Sequence, residues 1–184
     1  MKNRWTKHFQ FAAIVTCALL GFLGICDVTV GFGNIWSDAK IRALPDTSFA
    51  AVEVRDDGTR IRHCPYRDMN GNIDGEQLIY SLGTFPDGEW LDPKQKEIAR
   101  SQLEAHYQKL LSEWLKEGLK DPVEINSAPL ARLVTLPRIG PVLAVRIHER
   151  REAHGKFATI EDITKVDGIG QGTLNAIRHY IRAS

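Results

Sequence analysis

Cysteine is scarce in this sequence, and its spacing argues against the sites that cysteines build. There are three in 184 residues, Cys17, Cys26 and Cys64, with no Cys-x-x-Cys pair and no cysteine–histidine cluster. A structural zinc site needs four such ligands at short, regular spacings. Three scattered cysteines also do not make a disulfide framework. We therefore predict no metal site, and a free thiol at Cys64, with pairing between chains as the alternative.

A strong excess of one charge is also missing. The net charge is +1, so total charge gives no argument for a nucleic-acid partner. Counting Lys and Arg against Asp and Glu gives +3 for residues 1–26, −5 for 27–122 and +3 for 123–184. The C-terminal part is thus the only part predicted to fold with a basic excess, and that excess is modest for a nucleic-acid-binding protein.

No catalytic group is recognisable. No nucleophile stands in a pattern with a base, and no group of carboxylates or histidines has metal-ligand spacing. His148 and His154 lie close on one predicted helix, but arginines rather than further ligands stand between them. The sequence therefore predicts a protein that is not an enzyme, with no catalytic residues, no cofactor and no metal.

One long apolar run is present, at the N-terminus. It extends over the 18 residues from Phe9 to Cys26, and only Gln10 and Thr16 in it are polar. This is short for a membrane-spanning helix and long for the core of a cleaved signal. Because basic residues precede the run, they stay in the cytoplasm and the body is exported. Residues 1–30 are predicted to be a single-pass cell-membrane anchor, with a cleaved signal or a buried helix as alternatives.

The middle of the chain is predicted to be a structural scaffold without an obvious functional site. Residues 31–48 are rich in Gly, Ser, Asp and Pro and predict a linker. Residues 49–121 predict a small α+β region. In it, strand-like runs at 49–54 and 59–63 flank the hairpin signal Asp56-Asp57-Gly58.

A second turn signal, Asn70-Gly71, lies in a segment that resembles a calcium loop. Asp68, Asn70 and Asn72 have the spacing that opens an EF-hand loop, but Ile73 stands where that loop needs glycine. We predict a polar turn held by side-chain hydrogen bonds of the Asx type, with a metal site as the alternative. The strand runs and turns together predict a hairpin or a three-stranded sheet.

A long amphipathic helix is predicted to end the middle region. Asp92 can cap its first amides, Pro93 suits its first position, and Gly118 suits the position after its end. Apolar residues recur at helical spacing: Ile98, Leu103, Tyr107, Leu110, Leu111, Trp114 and Leu115. We expect this stripe to pack on the sheet, and the alternative is a partner helix.

Residues 123–184 contain an internal repeat. The copies span residues 133–147, around Arg138-Ile139-Gly140, and residues 163–177, around Gly168-Ile169-Gly170. Each copy predicts a helix, a tight turn and a second helix. The whole chain is therefore predicted to be α+β, with an N-terminal membrane helix, a hairpin-and-helix middle region and an all-α tandem repeat at the C-terminus.

Local signals place the helix ends of the repeat. Ser127 can cap the first helix, and Gly155 can end the second. Thr159 with Asp162 resembles a capping box for the third. The predicted shared core consists of Leu130, Leu133, Leu136, Ile139, Leu143, Ile147, Phe157, Ile160, Ile163, Val166, Ile169, Leu174 and Ile177.

The second turn has the residues of an anion site. Gly168 and Gly170 permit positive φ and remove side chains from the surface, while Ile169 points inward. The helix that follows begins with unpaired amides and a partial positive charge. Such a helix start binds phosphate without a base contact.

Residues from about 124 to 181 resemble the tandem helix-hairpin-helix domain of ComEA-type DNA receptors, the membrane-anchored proteins that bind incoming DNA in competent bacteria. The resemblance lies in Glu124-Ile125-Asn126-Ser127-Ala128, in Ile139-Gly140-Pro141 and in the run from Ile160 to Gly170. It implies sequence-nonspecific binding of the double-stranded DNA backbone. The implied DNA-binding residues are Gly168, Ile169, Gly170, Gln171, Gly172, Arg138, Ile139, Gly140, Arg146 and Lys165, with Arg150, Arg151 and Arg178 as further charges.

Two positions depart from the family pattern. Arg138 stands where the family has the leading turn glycine, so the turn is strained or changes shape, or the guanidinium adds a phosphate contact. Gly172 stands where the family often has lysine, so one phosphate charge is missing. These departures keep a second hypothesis open, a protein-interaction module in an envelope secretion or pilus-like assembly.

Overall fold

The predicted membrane segment lies outside the part of the chain that the structure describes. The structure is a computed structural model and describes residues 35–86, 90–118 and 121–184. The predicted anchor, residues 1–30, precedes these ranges and stays a prediction. Within them, no helix is long and apolar enough to cross a bilayer.

The predicted hairpin forms. Strand β1 (Phe49–Val54) pairs antiparallel with β2 (Arg60–Pro65). In the turn, Gly58 has a φ of 81°, and the Asp57 carboxylate accepts a hydrogen bond from the Thr59 amide. The turn residues thus do what their sequence indicates, because glycine adopts positive φ without steric cost.

The second turn closes without a third strand. Arg67 and Ile73 form an isolated antiparallel bridge around it. The Asp68 carboxylate accepts hydrogen bonds from the amides of Asn70 and Asn72, both at 2.8 Å. These bonds are those that the polar-turn interpretation predicts, and the sheet here is a two-stranded hairpin.

The described part of the predicted linker is folded. Residues Asp38–Ala43 form the short helix α1. Trp36 and Leu44 are buried and pack with Phe49. The Trp36 indole donates a hydrogen bond to the Asp74 carboxylate at 3.1 Å. Two large apolar side chains therefore outweigh the polar composition on which the linker prediction rested.

Helix α2 (Gly75–Gly83) is central to the fold, and the sequence reasoning missed it. The Asp74 carboxylate caps it by accepting a hydrogen bond from the Gln77 amide at 2.9 Å. Leu78 and Ile79 are completely buried. The sequence did contain a signal for this helix: Asp74 stands three residues before Gln77, and the apolar pair Leu78-Ile79 follows. This signal lies directly after the segment that resembles a calcium loop.

Helix α3 (Pro93–Glu117) has the predicted ends. The Asp92 carboxylate accepts a hydrogen bond from the Lys94 amide at 2.8 Å, and Gly118 follows with a φ of 68°. Helix α3 packs on β1 and α2.

The apolar stripe of α3 is covered on a narrower face than its periodicity indicates. Leu103 and Tyr107 are buried, and Leu110, Leu111 and Trp114 pack against the same core. Ile98 and Leu115 are instead 57% and 52% exposed. At about 100° per residue they lie outside the covered face. The sequence therefore predicted the covered face correctly but assigned two outlying residues to it.

A buried carboxylate fixes the start of α3 to the hairpin. Glu53 of β1 accepts hydrogen bonds from the amides of Leu91 and Asp92 and lies 2.9 Å from His63 Nε2. The Trp90 ring stacks on the His63 ring with centroids 3.9 Å apart. Burial opposes ionisation of Glu53, but these hydrogen bonds outweigh it and hold the pKa of the carboxyl below its usual range.

The C-terminal module, residues 123–184, is helical but not all-α. Its helices are α4 (Leu130–Leu133), α5 (Pro141–His154) and α6 (Gln171–Ile177), with 3₁₀ helices at Ile160–Lys165 and Arg178–Tyr180. Strand β3 (Val123–Glu124) pairs in parallel with β4 (Ile181–Arg182). The all-α prediction is therefore wrong at the two ends of the module, where two-residue strands, too short to show periodicity, close the repeat on itself.

The middle region and the C-terminal module share one hydrophobic core. Leu78 and Ile79 of α2 belong to the same buried cluster as Leu130 and Leu133 of α4. The predicted repeat core is buried as expected, except that Leu143 and Ile160 are partly exposed. Close packing against α5 accounts for the small residue at the end of α2: a Cβ on Gly83 would lie 2.5 Å from Val145 Cγ2.

The carboxylate of Glu76 caps α4 from another element. It accepts hydrogen bonds from the amides of Leu130 at 2.7 Å and Ala131 at 2.9 Å. Ser127, predicted to be this cap, is not: Pro129 precedes the helix, and no side chain at the N-cap position bonds to it. Burial raises the pKa of Glu76, although both amide bonds favour its charged form.

We expect Glu76→Ala to destabilise the protein by about 2 kcal/mol, because two partly buried amides at the start of α4 lose their acceptor. Glu76→Gln should cost less, since its amide oxygen still serves one of them. Urea unfolding measures both changes. Glu113→Ala, at an exposed carboxylate on α3, is the control, and a loss for Glu76→Ala no larger than the control's would contradict this role.

Candidate functional site

The two copies of the repeat form hairpins with almost identical backbones. Gly140, before α5, has φ and ψ of −95° and −177°, and Gly170, before α6, has −98° and −178°. Two residues earlier, Arg138 and Gly168 both have positive φ, 65° and 89°. The internal repeat in the sequence is therefore a repeat in three dimensions.

The same hydrogen bonds hold both turns. The Ile139 amide donates to the Leu136 carbonyl at 3.1 Å, and the Ile169 amide donates to the Val166 carbonyl at 3.0 Å. Both isoleucines are buried, as predicted for Ile169. A buried apolar side chain in the middle of each turn fixes the loop to the core.

Arg138 keeps the turn shape and accepts backbone strain. Of the outcomes that the sequence left open, the structure has the left-handed conformation, with a φ of 65°. For a residue with a side chain this conformation costs about 1–2 kcal/mol. The first hairpin therefore matches the second in shape, at a cost that a glycine would avoid.

Gly170 has a different role from the one predicted. Its φ of −98° is extended backbone, so the expectation of positive φ is wrong for Gly170 and right for Gly168. A Cβ at Gly170 would meet nothing within 4 Å, whereas one at Gly168 would lie 2.9 Å from Arg146 Nη1. Gly168 therefore adopts the left-handed turn conformation without strain, and Gly170 keeps the surface in front of α6 open.

The start of α6 presents amides on an open surface. Gly170, Gln171 and Gly172 are all exposed, and first-turn amides have no acceptor within their own helix. Beside them lies a shallow depression of about 560 Å³, lined by residues 164–170. We call residues 164–172 the second-hairpin surface. Its amides form a concave region of partial positive charge, the type of surface that binds anions.

Acidic side chains partner several of the predicted cations. Arg146 donates to the Asp167 carbonyl at 3.0 Å, and Arg146 Nη1 also lies 3.4 Å from Asp167 Oδ2. Lys165 pairs with Asp162 at 2.7 Å. These carboxylates lower the positive potential that the second-hairpin surface offers to an anion.

Two of the further charges serve other roles in the described structure. Arg178 pairs with Glu161 at 2.6 Å. Arg151 is buried, and its Nη1 donates to the carbonyls of Ile125 and Ala128 at 3.1 and 2.8 Å. The prediction that Arg151 is a DNA contact is therefore wrong, because its position on α5 faces the core. Its guanidinium instead serves a structural role, since arginine has enough N–H donors to bind both carbonyls that precede α4.

Asn126 is a structural residue that the sequence reasoning did not single out. It is buried, its Nδ2 donates to the Phe157 carbonyl at 3.0 Å, and its Oδ1 accepts from the Phe157 amide at 2.7 Å. This pair of bonds joins the loop after β3 to the loop before the second hairpin. The available signal was its place in the run Glu124-Ile125-Asn126-Ser127-Ala128, on which the resemblance partly rests.

The fold of the module agrees with comparisons to known proteins. A family model described as a helix-hairpin-helix motif matches residues 119–182. ComE operon protein 1 of Bacillus subtilis (strain 168) is 46% identical over 59 residues, which are 32% of this chain and 29% of that protein. The C-terminal module is a ComEA-like helix-hairpin-helix domain. The resemblance predicted from the sequence is thus confirmed.

The helix-hairpin-helix domain also has relatives in larger proteins. Endonuclease/exonuclease/phosphatase family domain-containing protein 1 is 39% identical over 61 residues in Rattus norvegicus and 36% identical over 61 residues in Homo sapiens. Each alignment covers 33% of this chain and 11% of the relative. The chain therefore spans less than a third of each of these relatives and of ComE operon protein 1. No solved structure gives a significant match.

Gly168→Ala should destabilise the protein by about 1–3 kcal/mol, because an alanine with positive φ is strained and its Cβ crowds Arg146 and Leu143. Gly170→Ala, at an extended and open position, is the matched control and should leave stability unchanged or slightly raised. Thermal unfolding compares the two variants. Equal losses would show that the two glycines do not differ in the way described.

Proposed function

We propose that this protein binds double-stranded DNA through the phosphate backbone, without sequence preference and without catalysing a reaction. The observation that carries the proposal is the second hairpin, in which Gly168-Ile169-Gly170 holds the exposed amides at the start of α6 open to an anion. Backbone amides bind phosphate oxygens and contact no base edge, so they confer affinity without sequence preference.

The proposed contact residues come from both hairpins. The second hairpin contributes amides, and the first contributes a turn of the same shape. The proposed set is Gly168, Ile169, Gly170, Gln171, Gly172, Arg138, Ile139, Gly140, Arg146 and Lys165. Ile139 and Ile169 act through their backbone, because their side chains are buried.

The likeness to ComE operon protein 1 supports a role in DNA uptake. By this proposal the protein is a DNA receptor of the ComEA type. The carboxylates beside the second turn set the expected affinity for DNA. Asp167 is 93% exposed there, and its negative charge opposes phosphate binding. DNA binding should therefore be weak at moderate salt and strengthen as the salt concentration falls.

The ion pairs also favour a second candidate, a protein-interaction module in which the hairpins are purely structural. In that case the cations Arg146 and Lys165 would be held by Asp167 and Asp162 rather than offered to DNA. The partner would be a protein of an envelope assembly. The two candidates differ in one measurable property, affinity for duplex DNA at low salt.

The full chain is the material for this test, because α2 packs on α5 and Glu76 caps α4. We expect fluorescence anisotropy to show binding to random-sequence duplexes at about 50 mM salt and weaker binding at about 200 mM, as counterions are released on binding. Duplexes of different sequence should bind alike. Absence of binding at the lower salt concentration would overturn the DNA proposal and favour the protein-interaction module.

Gly170→Asp tests the contact surface in the same assay. This variant places a side chain and a negative charge in front of the α6 amides, and it should weaken DNA binding by about tenfold. Gly170→Ala separates the steric effect from the charge. Ser101→Asp, at an exposed position on α3, controls for added charge elsewhere. If Gly170→Asp binds no worse than Ser101→Asp, the second-hairpin surface is not the contact.

We further propose that residues 1–30 anchor the protein in the cell membrane, with its body outside the cytoplasm. The support is the sequence alone, with basic residues preceding an 18-residue apolar run. Fractionation of cells that express the full chain should recover it with membranes and release it with detergent. Recovery in the soluble cytosol would overturn this topology, and recovery as a shorter exported form would indicate a cleaved signal.

A further inference from the structure

A small cavity lies between α1, β2 and α2, in the middle region and away from both hairpins. Its volume is about 150 Å³, and none of its lining residues belongs to the helix-hairpin-helix domain. Ile41 of α1, Pro65 of β2 and Pro86 after α2 contribute apolar walls. A cavity of this volume can hold one six-membered ring. The middle region therefore contains a space of the size of one small cyclic molecule.

A buried side-chain amide with a free N–H lines this cavity. Gln77 is 1% exposed, and its Oε1 accepts a hydrogen bond from the Trp36 amide at 3.0 Å. Its Nε2 has no hydrogen-bond partner among the described residues, yet this nitrogen keeps some accessible surface. Because the bond to Trp36 fixes the orientation of the amide, Nε2 is the atom left to face the cavity. A buried donor needs an acceptor, and here the acceptor has to come from what the cavity holds.

The electrostatics of the cavity favour a neutral occupant that binds without a covalent bond. Among the described residues, no Asp, Glu, Lys or Arg lines it. Burial raises the pKa of the Cys64 thiol at the cavity to about 12, so this group stays protonated and unreactive at neutral pH. Burial and, after it, the carboxylates of Glu149 and Asp38 raise the pKa of Tyr80, which also lines the cavity. The negative charge of these carboxylates opposes an anionic ligand.

The position of Gln77 connects the cavity to the support of the helix-hairpin-helix domain. Gln77 follows Glu76, the residue whose carboxylate caps α4. Its bond to Trp36 also ties α2 to the segment before α1. A molecule bound to Gln77 would therefore stabilise the folded state of α2, and ligand binding should be visible as a rise in the Tm of the whole described fold.

We propose that this cavity is a binding site for a small neutral molecule that carries one apolar ring and one carbonyl oxygen. The oxygen accepts a hydrogen bond from Gln77 Nε2, and the ring lies against the apolar walls of Ile41, Pro65 and Pro86. The site is separate from the proposed DNA contact, and the inference does not depend on DNA binding.

Titration of the ¹⁵N-labelled full chain with cyclohexanone, a cyclic ketone of this size, tests the site by NMR. The side-chain Nε2 resonances of Gln77 should shift and saturate. Those of Gln102 should not, because its Nε2 already donates to the Tyr66 hydroxyl at 2.7 Å. At about ten times its Kd, cyclohexanone should also raise the Tm by about 3–5 °C. No shift at Gln77 up to about 50 mM, an affinity limit of about 2 kcal/mol in binding free energy, would show that the cavity holds only water and would overturn the proposal.

Two variants test the location and the hydrogen bond. Ile41→Trp fills the cavity from α1 and should abolish the rise in Tm with cyclohexanone, whereas Ala43→Trp, at an exposed position of the same helix outside the cavity, should keep it. Gln77→Leu removes the donor but keeps an apolar wall. In this variant the affinity for cyclohexanone relative to benzene, a ring without a carbonyl, should fall by about tenfold.

Each result decides one part of the proposal. An equal rise in Tm for Ile41→Trp and Ala43→Trp would show that cyclohexanone binds elsewhere and would overturn the site. An unchanged ratio of the two affinities in Gln77→Leu would overturn the role of the Gln77 amide. If either variant does not fold, the titration of the unmodified chain still decides, because the Gln77 and Gln102 resonances are compared within one protein. No DNA enters these measurements, so their failure leaves the proposed function untouched.

Discussion

The carboxylate of Glu76 on the amides of Leu130 and Ala131 joins the two halves of the described fold. Helix α4 is only four residues long, too short to be stable without an acceptor for its first amides and a core beneath it. Helix α2 provides both, because it carries Glu76 and packs Leu78 and Ile79 into the core of the helix-hairpin-helix domain. The middle region is therefore part of the support of that domain.

The middle region packs closely on the first hairpin. Gly83 of α2 lies against Val145 and Pro141 of α5, and Arg151 binds the carbonyls that precede α4. Both hairpins contribute buried residues to one core, and their backbones agree within a few degrees at Gly140 and Gly170. On this shared frame, differences between the hairpins come from side chains, chiefly from Arg138 and from the carboxylates beside the second turn.

Much of the local structure could be predicted from short sequence patterns. The turn at Asp56-Asp57-Gly58, the start of α3 at Asp92-Pro93 and the capping box of Thr159 and Asp162 all formed as expected. The repeat predicted both hairpins and nearly all of their buried residues. These features depend on neighbours a few positions apart, so propensity and periodicity are sufficient to find them.

Two of the wrong predictions concern residues whose roles are set by distant partners. Ser127 is an acceptable cap in isolation, but Glu76, 54 positions from Leu130, takes that place. Arg151 has the sequence context of a surface charge, but it lies on the face of α5 that packs against the core. The sequence by itself determined the two hairpins and their turn chemistry. Only the tertiary structure decided which carboxylate caps α4 and that Arg138 reaches the Gly172 carbonyl, because such contacts depend on how the helices pack and leave no periodic signal in the chain.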